Sequence, residues 1–262
     1  MPLLAENRTI QYLDISGAII SKINMGHLWL ALHKNISIHD LVYSRINFFA
    51  LMEIKAIDAE LALNKIIQEE IQPTFEANQF SRSGKELSLK GYTVAKENSP
   101  AILKYIKMQT QMTSLDLSGT GLSRFDMNQF VVEIVKREVK LTKLNLGDNE
   151  SISDEVVEDL CQLFSQHSTL QELFLDKTKI TSRGVNNLLD SICQSLKVRT
   201  ISVRDCGMQL SISRGKSILE TLAKNISLVK FDYAENYFDV PFQQGVDKEL
   251  ALNKQIVDKI LP

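Results

Sequence analysis

Few residues in this 262-residue sequence have the type and spacing to do chemistry. Ser81-Arg82-Ser83-Gly84-Lys85 is the nearest thing to a phosphate loop, but it lacks the G-x-x-x-x-G-K-S/T spacing that lets backbone N–H groups cradle a phosphate. No G-x-G-x-x-G occurs. The histidines are His27, His33, His39 and His167. None pairs with another at H-x-x-x-H spacing, which would place two imidazoles on one helix face for a metal. Cys161, Cys193 and Cys206 form no metal spacing and leave one thiol unpaired, as suits a reducing compartment. No nucleophile, base and orienting group can be assembled from these residues, so the expectation is no catalytic set, no cofactor and no metal.

The informative chemistry is recognition, and it follows from a repeat. The pattern apolar-x-x-apolar-x-apolar-x-x-(Asn/Thr/Cys) recurs about every 28 residues. Its copies are Met112/Leu115/Leu117/Thr120, Leu141/Leu144/Leu146/Asn149, Leu170/Leu173/Leu175/Thr178, Val198/Ile201/Val203/Cys206 and Leu228/Phe231/Tyr233/Asn236. Alternation such as Leu144-x-Leu146 predicts a short half-buried strand. Asn149 then falls in the bend, where an amide can satisfy free backbone groups and form a ladder from repeat to repeat. Ile152, Val156, Leu160, Leu163 and Phe164 follow at helical spacing. A lone strand-turn-helix unit cannot bury its apolar side, so the units must stack. Gly184 is expected to let neighbouring helices approach.

Two earlier copies, Ile10/Leu13/Ile15 and Ile38/Leu41/Tyr43, make eight repeats with Leu87/Leu89. The expected organisation is a short block over 1–73, an inserted loop over 74–83, and a main block over 84–262, forming one continuous solenoid. A longer-range repeat is sharper. Glu60-Leu61-Ala62-Leu63-Asn64-Lys65 recurs letter for letter as Glu249-Leu250-Ala251-Leu252-Asn253-Lys254. Lys34-Asn35-Ile36-Ser37 likewise recurs as Lys224-Asn225-Ile226-Ser227, and Pro73 matches Pro262. Each block is expected to end in the same closing unit. The first strand begins about nine residues in with no evident capping unit, so the N-terminal end is expected to be open to a partner.

These units resemble the ribonuclease-inhibitor class of leucine-rich repeats, whose strand motif L-x-x-L-x-L-x-x-N/C is matched at its last position by Asn149 and Cys206. Thr120 and Thr178 depart from it, which implies a locally weaker ladder. The resemblance implies an α/β fold: a curved solenoid with parallel strands on the concave face and helices on the convex face. Strand alternation then lists the concave residues. Asp116, Asn145, Phe174, Asp176, Ser202, Arg204 and Asp232 are the candidate protein-binding residues. Phe174 leads, because an aromatic ring on a polar sheet is a hot-spot candidate. The competing reading is that a long neighbouring side chain covers it.

Hydrophobic residues make up 44% of the chain, charged residues 24%, and the net charge is -2. That balance gives no reason to expect nucleic acid, and no apolar run suggests a membrane partner. The start of the sequence does not read as a secretory signal, so a cytoplasmic setting is expected. The leading function is a non-enzymatic scaffold or structural subunit of a large assembly. Axonemal leucine-rich-repeat proteins look similar, down to a terminal helix like Leu-Ala-Leu-Asn-Lys, which implies a cilium or cytoskeleton. The alternatives are a Ran-type GTPase-activating regulator and a bacterial effector that binds host proteins.

Overall fold

The computed structural model describes residues 2–18, 20–43, 51–77, 85–109, 111–136, 140–165, 169–193 and 196–260. Ser81 to Gly84, His167 and Pro262 lie outside them. The chain divides into two compact units: Met1–Gln79 with Ala95–Thr110, and Phe80–Val94 with Gln111–Pro262.

The second unit is the repeat array. Its strands are β3 (Glu86–Ser88), β4 (Ser114–Asp116), β5 (Lys143–Asn145), β6 (Glu172–Phe174), β7 (Thr200–Ser202) and β8 (Lys230–Asp232), for which β1 (Tyr12–Asp14) and β2 (Asp40–Val42) of the first unit supply the numbering. They form one parallel sheet in sequence order. The register aligns Leu87, Leu115, Leu144, Leu173, Ile201 and Phe231 in a single row. That row is sealed: Leu115, Leu144, Leu173 and Ile201 are fully buried. Its cover is the helical layer of α6 (Arg124–Lys136), α7 (Asp154–Ser165), α8 (Ser182–Ile192), α9 (Ile212–Leu222) and α10 (Val240–Ile260), which buries Phe130, Val157, Leu160, Leu188, Ile218 and Val246. Helices need about 10 Å each and parallel strands only about 4.8 Å, so the stack curves with the sheet inside. Gly184 holds the expected close approach. A Cβ there would meet Asp154 Oδ1 at 2.2 Å, and that carboxylate accepts from Thr181 N at 2.8 Å.

A buried ladder runs along the bends. Asn149 Nδ2 donates to Leu117 O, Leu146 O and Gly147 O. Asn236 Nδ2 donates to Val203 O and Tyr233 O, and Cys206 Sγ reaches Leu175 O. Thr178 Oγ1 reaches only its own repeat's Leu175 O and Cys206 Sγ, because its side chain is one bond too short to cross to the preceding strand. The residue before each ladder position turns through the left-handed region, at Gly119, Asp148, Lys177, Asp205 and Glu235. The glycine takes that φ freely, while the other four residues carry a steric cost there.

The first unit runs α1 (Pro2–Glu6), β1, α2 (Lys22–His33), β2, α3 (Leu51–Ile66), a π-helical turn (Ile67–Ile71), α4 (Gln72–Ala77) and, later in the chain, α5 (Ser99–Met108). β1 and β2 pair in parallel, and Met25, Leu28, Leu32, Ile38, Ile57 and Leu61 form the core. Two expectations change here. The loop expected over 74–83 begins as helix, since Gln72–Ala77 is α4; the remainder lies outside the described residues. Pro73 lacks an N–H and would break an unshifted α-helix, and the π turn just before it relaxes the ladder, with Gln72 N bonding to Ile67 O. The N-terminal end is also not bare. α1 packs on α2, and Asn35 Nδ2 ties it down through Leu4 O and Asn7 O. The outer edge of β1 has no strand neighbour among the described residues.

The closing units do correspond. Asn64 Nδ2 donates to Ile38 O at 2.6 Å, and Asn253 Nδ2 donates to Leu228 O at 2.9 Å. Asn35 Oδ1 accepts from Ser37 N and Ile38 N, as Asn225 Oδ1 does from Ser227 N and Leu228 N. In the first unit α5 covers α3. Its Lys104, 5% exposed, places Nζ 2.6 Å from Glu60 Oε2, 2.7 Å from Asn64 Oδ1 and 3.0 Å from Leu32 O. All three ammonium protons are thereby used, one of them on the carbonyl-rich end of α2. His33 Nδ1 lies 2.7 Å from Glu60 Oε1, so this histidine belongs to a structural cluster.

Candidate protein-binding face

The solvent side of the second unit's sheet is built by alternation. Flanking each buried row residue, the register aligns Glu86, Ser114, Lys143, Glu172, Thr200 and Lys230 on one side. On the other side it aligns Ser88, Asp116, Asn145, Phe174, Ser202 and Asp232. The concave-face residues read from the sequence therefore share one surface, although their chemistry differs from a free polar rim.

The Asp and Asn side chains of the second row are engaged by the backbone. Asp116 Oδ1 accepts from Ser118 N at 2.9 Å, Asn145 Oδ1 from Gly147 N at 3.1 Å, and Asp232 Oδ1 from Ala234 N at 3.3 Å. Each closes an Asx turn that ends its strand. Where Phe174 replaces the Asx residue, Asp176 acts across to the next repeat. Its Oδ1 accepts from Arg204 N at 2.9 Å and from the Ser202 hydroxyl. Ser202 is buried. Arg204 is exposed and bonds Glu235, with Asp232 3.8 Å away; those acids hold its guanidinium pKa above the ordinary value, the Glu235 hydrogen bond most of all.

Phe174 is half-buried, and Lys143 Nζ lies 5.1 Å from its ring centroid. The same ammonium is 3.4 Å from Glu172. The ring thus has a long neighbour over one face and stays partly exposed. An aromatic ring with a cation over its face and a carboxylate beside it forms an amphipathic patch suited to a partner's apolar or polar side chain. Lys143 and Glu172 fall on the same alternating face but were not among the candidate residues, although the register puts Lys143 directly opposite Glu172 and on the diagonal to Phe174.

A second concavity, of about 400 Å³, lies between β8 and α10 and is lined by Phe231, Tyr233, Asn236, Gln243, Asp247 and Leu250. Burial, then Asp247 and Asp232, push the Tyr233 phenol up. Among the described residues, no three His, Cys, Asp or Glu side chains converge as a metal group, and no helix is long and apolar enough to cross a membrane.

Residues 139–161 match the Leucine Rich repeat family model. Over 191 residues the chain is 22% identical to the Rho GTPase-activating protein gacW of Dictyostelium discoideum, covering 70% of this chain and 17% of that protein. The chain therefore spans about one sixth of that relative's length. Among solved structures it is similar to the Actin-Binding Site 2 of leiomodin-1, with a TM-score of 0.53 and 16% identity over 64% of this chain and 94% of that one. It is also similar to the tropomodulin C-terminal domain of Caenorhabditis elegans, with a TM-score of 0.53 and 15% identity over 62% of this chain and 96% of that one. With the strand-turn-helix units and their aligned parallel sheet, these likenesses show a leucine-rich-repeat fold, and residues 139–161 carry one repeat that the family model matches.

Proposed function

We propose that this chain is a non-enzymatic protein-binding scaffold, a structural subunit of a larger assembly, that holds a partner on the sheet face of its second unit. The observation carrying the reading is the Phe174 patch: a half-buried ring under the Lys143 ammonium, on a face whose other polar groups are largely committed to turns. The ribonuclease-inhibitor-like class, a cytoplasmic setting and a cytoskeletal or axonemal location belong to the same proposal. The fold likeness to the Actin-Binding Site 2 of leiomodin-1 supports the cytoskeletal setting.

The test is a mild pull-down from native extract with wild-type and Phe174→Ala protein. Fixed structural partners that the variant loses at least tenfold support the reading. Equal recovery by both proteins removes this face from the proposal. A second reading, regulation of a GTPase, is favoured by the name of the Dictyostelium relative. A GTP-hydrolysis assay with small GTPases separates the two, because a scaffold leaves the hydrolysis rate unchanged.

A further inference from the structure

The two closing units share their sequence motif and their backbone anchoring, yet among the described residues a further helix covers one of them and not the other. In the first unit α5 lies on α3. Lys104 fills the acceptors of Glu60, Asn64 and Leu32, and Leu61 and Ile67 are buried. In the second unit the counterparts are Glu249, Asn253, Leu222, Leu250 and Ile256. Asn253 makes the same structural bond as Asn64, so α10 sits on its strand as α3 does. Among the described residues, however, Glu249 has no hydrogen-bond or ion-pair partner, and the Asn253 Oδ1 that corresponds to the lysine acceptor is unused. Leu250 and Ile256 are half-exposed and Leu252 is 46% exposed.

We propose that the side of α10 carrying Glu249, Asn253 and Ile256, at the edge of the groove beside β8, is a docking site for a helix of a partner protein, one that inserts a lysine ammonium between apolar side chains and is bound as α5 is bound on α3. This rests on the protein-binding reading but uses a different surface from the Phe174 patch. The chemistry of the occupant can be read from α5. It buries Ala101, Ile102, Tyr105 and Ile106 around Lys104, so the partner helix carries apolar residues three and two before its lysine and one and two after it. The ammonium would take Glu249 and Asn253 as Lys104 takes Glu60 and Asn64, and the apolar flanks would cover Leu250, Leu252 and Ile256. A carboxylate next to an unused amide oxygen and exposed leucines complements such a helix in charge and in polarity. Leu250 also lines the groove beside β8, so the docking face adjoins the open sheet edge.

The probe is a fluorescent peptide of residues 95–110, crosslinked between positions 103 and 107 to hold it helical, since a free helix of this length is marginal in water. It is added in trans to the full chain and followed by anisotropy. The expected result is saturable binding with a dissociation constant below about 1 mM. Glu249→Gln, Leu252→Glu, or Lys104→Met in the peptide should each weaken it at least tenfold. Phe174→Ala in the protein should leave it unchanged even where the sheet-face reading fails. Circular dichroism confirms that each variant is folded, and Glu249 and Leu252 both lie at the surface. Absence of saturation overturns the proposal. So does binding that is equal for wild type, Glu249→Gln and Leu252→Glu, which would mean that the peptide enters the first unit. A concentration-dependent dimer abolished by Glu249→Gln would place a second copy on α10 and overturn the assignment to a separate partner.

Discussion

Removing the carboxylate beneath Lys104 should unfold the first unit far more easily than removing both charges together. The Nζ–Oε2 distance is 2.6 Å, and the two side chains are only 6% and 10% exposed. Burying two ions costs several kcal/mol each, and the pair recovers this only because the ammonium also bonds Asn64 Oδ1 and Leu32 O. Glu60→Gln leaves a buried ammonium facing neutral acceptors, a loss of about 3–5 kcal/mol. Against a typical domain stability of about 5–15 kcal/mol that is a large share. Glu60→Gln combined with Lys104→Met removes the ion altogether, and the new amide can donate to Asn64 Oδ1. The double variant should therefore recover at least half of the single variant's loss.

Trp29, the one tryptophan of the chain, packs against the first unit's core, so its fluorescence follows this unit alone. With a urea slope of about 1.5 kcal/mol per M, Glu60→Gln moves the midpoint down by about 2–3 M. The pH dependence gives an independent sign. In the wild type, burial pushes the Glu60 carboxyl up, but Lys104 and His33 outweigh it and hold it below 4.5. Its contribution is thus present above the unfolded value and is lost as the pH falls through the folded one. In Lys104→Met, burial is opposed by His33 alone, and the folded value rises. Stability is then highest in acid and falls as the pH climbs through the raised value. Lys104 itself is pushed down by burial more than Glu60 lifts it. A double variant as unstable as the sum of the two singles, or parallel acid slopes in wild type and Lys104→Met, would refute this account of the cluster.

Other outcomes can be checked on the second unit. Leu144→Asp places an unpaired charge at a fully buried position in the middle of the sheet, and should abolish cooperative thermal unfolding of the array seen by circular dichroism. Asn149→Ala leaves Leu117 O, Leu146 O and Gly147 O short of a donor, and should cost about 2–3 kcal/mol in a denaturant titration. Gly184→Ala drives a methyl into the Asp154 carboxylate and should cost about 1–3 kcal/mol by the same measurement. Burial raises the thiols of Cys161, Cys193 and Cys206, so an aromatic disulfide reagent should react slowly near neutral pH until the protein is unfolded.

The strands were legible because each is encoded twice, by alternation within a repeat and by the period between repeats. A register error of one residue would have exposed Leu144 and Leu173 together. The ladder was legible down to its weak point at Thr178. What escaped was non-local. Nothing in Ser99–Met108 announces that Lys104 will be buried, because a lysine among apolar residues usually extends its charge to water. Its acceptors lie 44, 40 and 72 residues away. The N-terminal cover was missed for a similar reason: α1 is five residues long, too short to show periodicity, and it is fixed by side-chain bonds from Asn35. The helix that runs into the loop expected over 74–83 escaped because Pro73 ordinarily breaks a helix, yet the π turn before it lets helix continue.

The candidate site shows how alternation identifies a face without ranking its residues. Asp116, Asn145, Asp176 and Asp232 were all candidates for holding a partner, but an oxygen of Asp116, Asn145 and Asp232 closes the turn that ends its strand, and Asp176 accepts from Arg204 N of the next repeat. A partner that displaced those bonds would leave backbone N–H groups without acceptors, at about 1–3 kcal/mol each, so it is confined to the remaining lone pairs. Lys143, Glu172 and the Phe174 ring carry no such obligation. Lys143 and Glu172 are each more than 40% exposed, and an exposed ion pair of this kind is worth only about 0–1 kcal/mol, so rearranging it for a ligand costs little. The groups on this sheet that can rearrange at little cost therefore lie around Phe174, one of three positions, with Ser88 and Ser202, where the Asx pattern is interrupted. Replacing Phe174 by Asp, which restores the pattern, should leave the fold standing, with the new carboxylate accepting from Asp176 N, while erasing the apolar surface a partner would use. If Phe174→Asp held a sheet-face partner as well as wild type does, recognition would have to reside in the turn-forming acids after all.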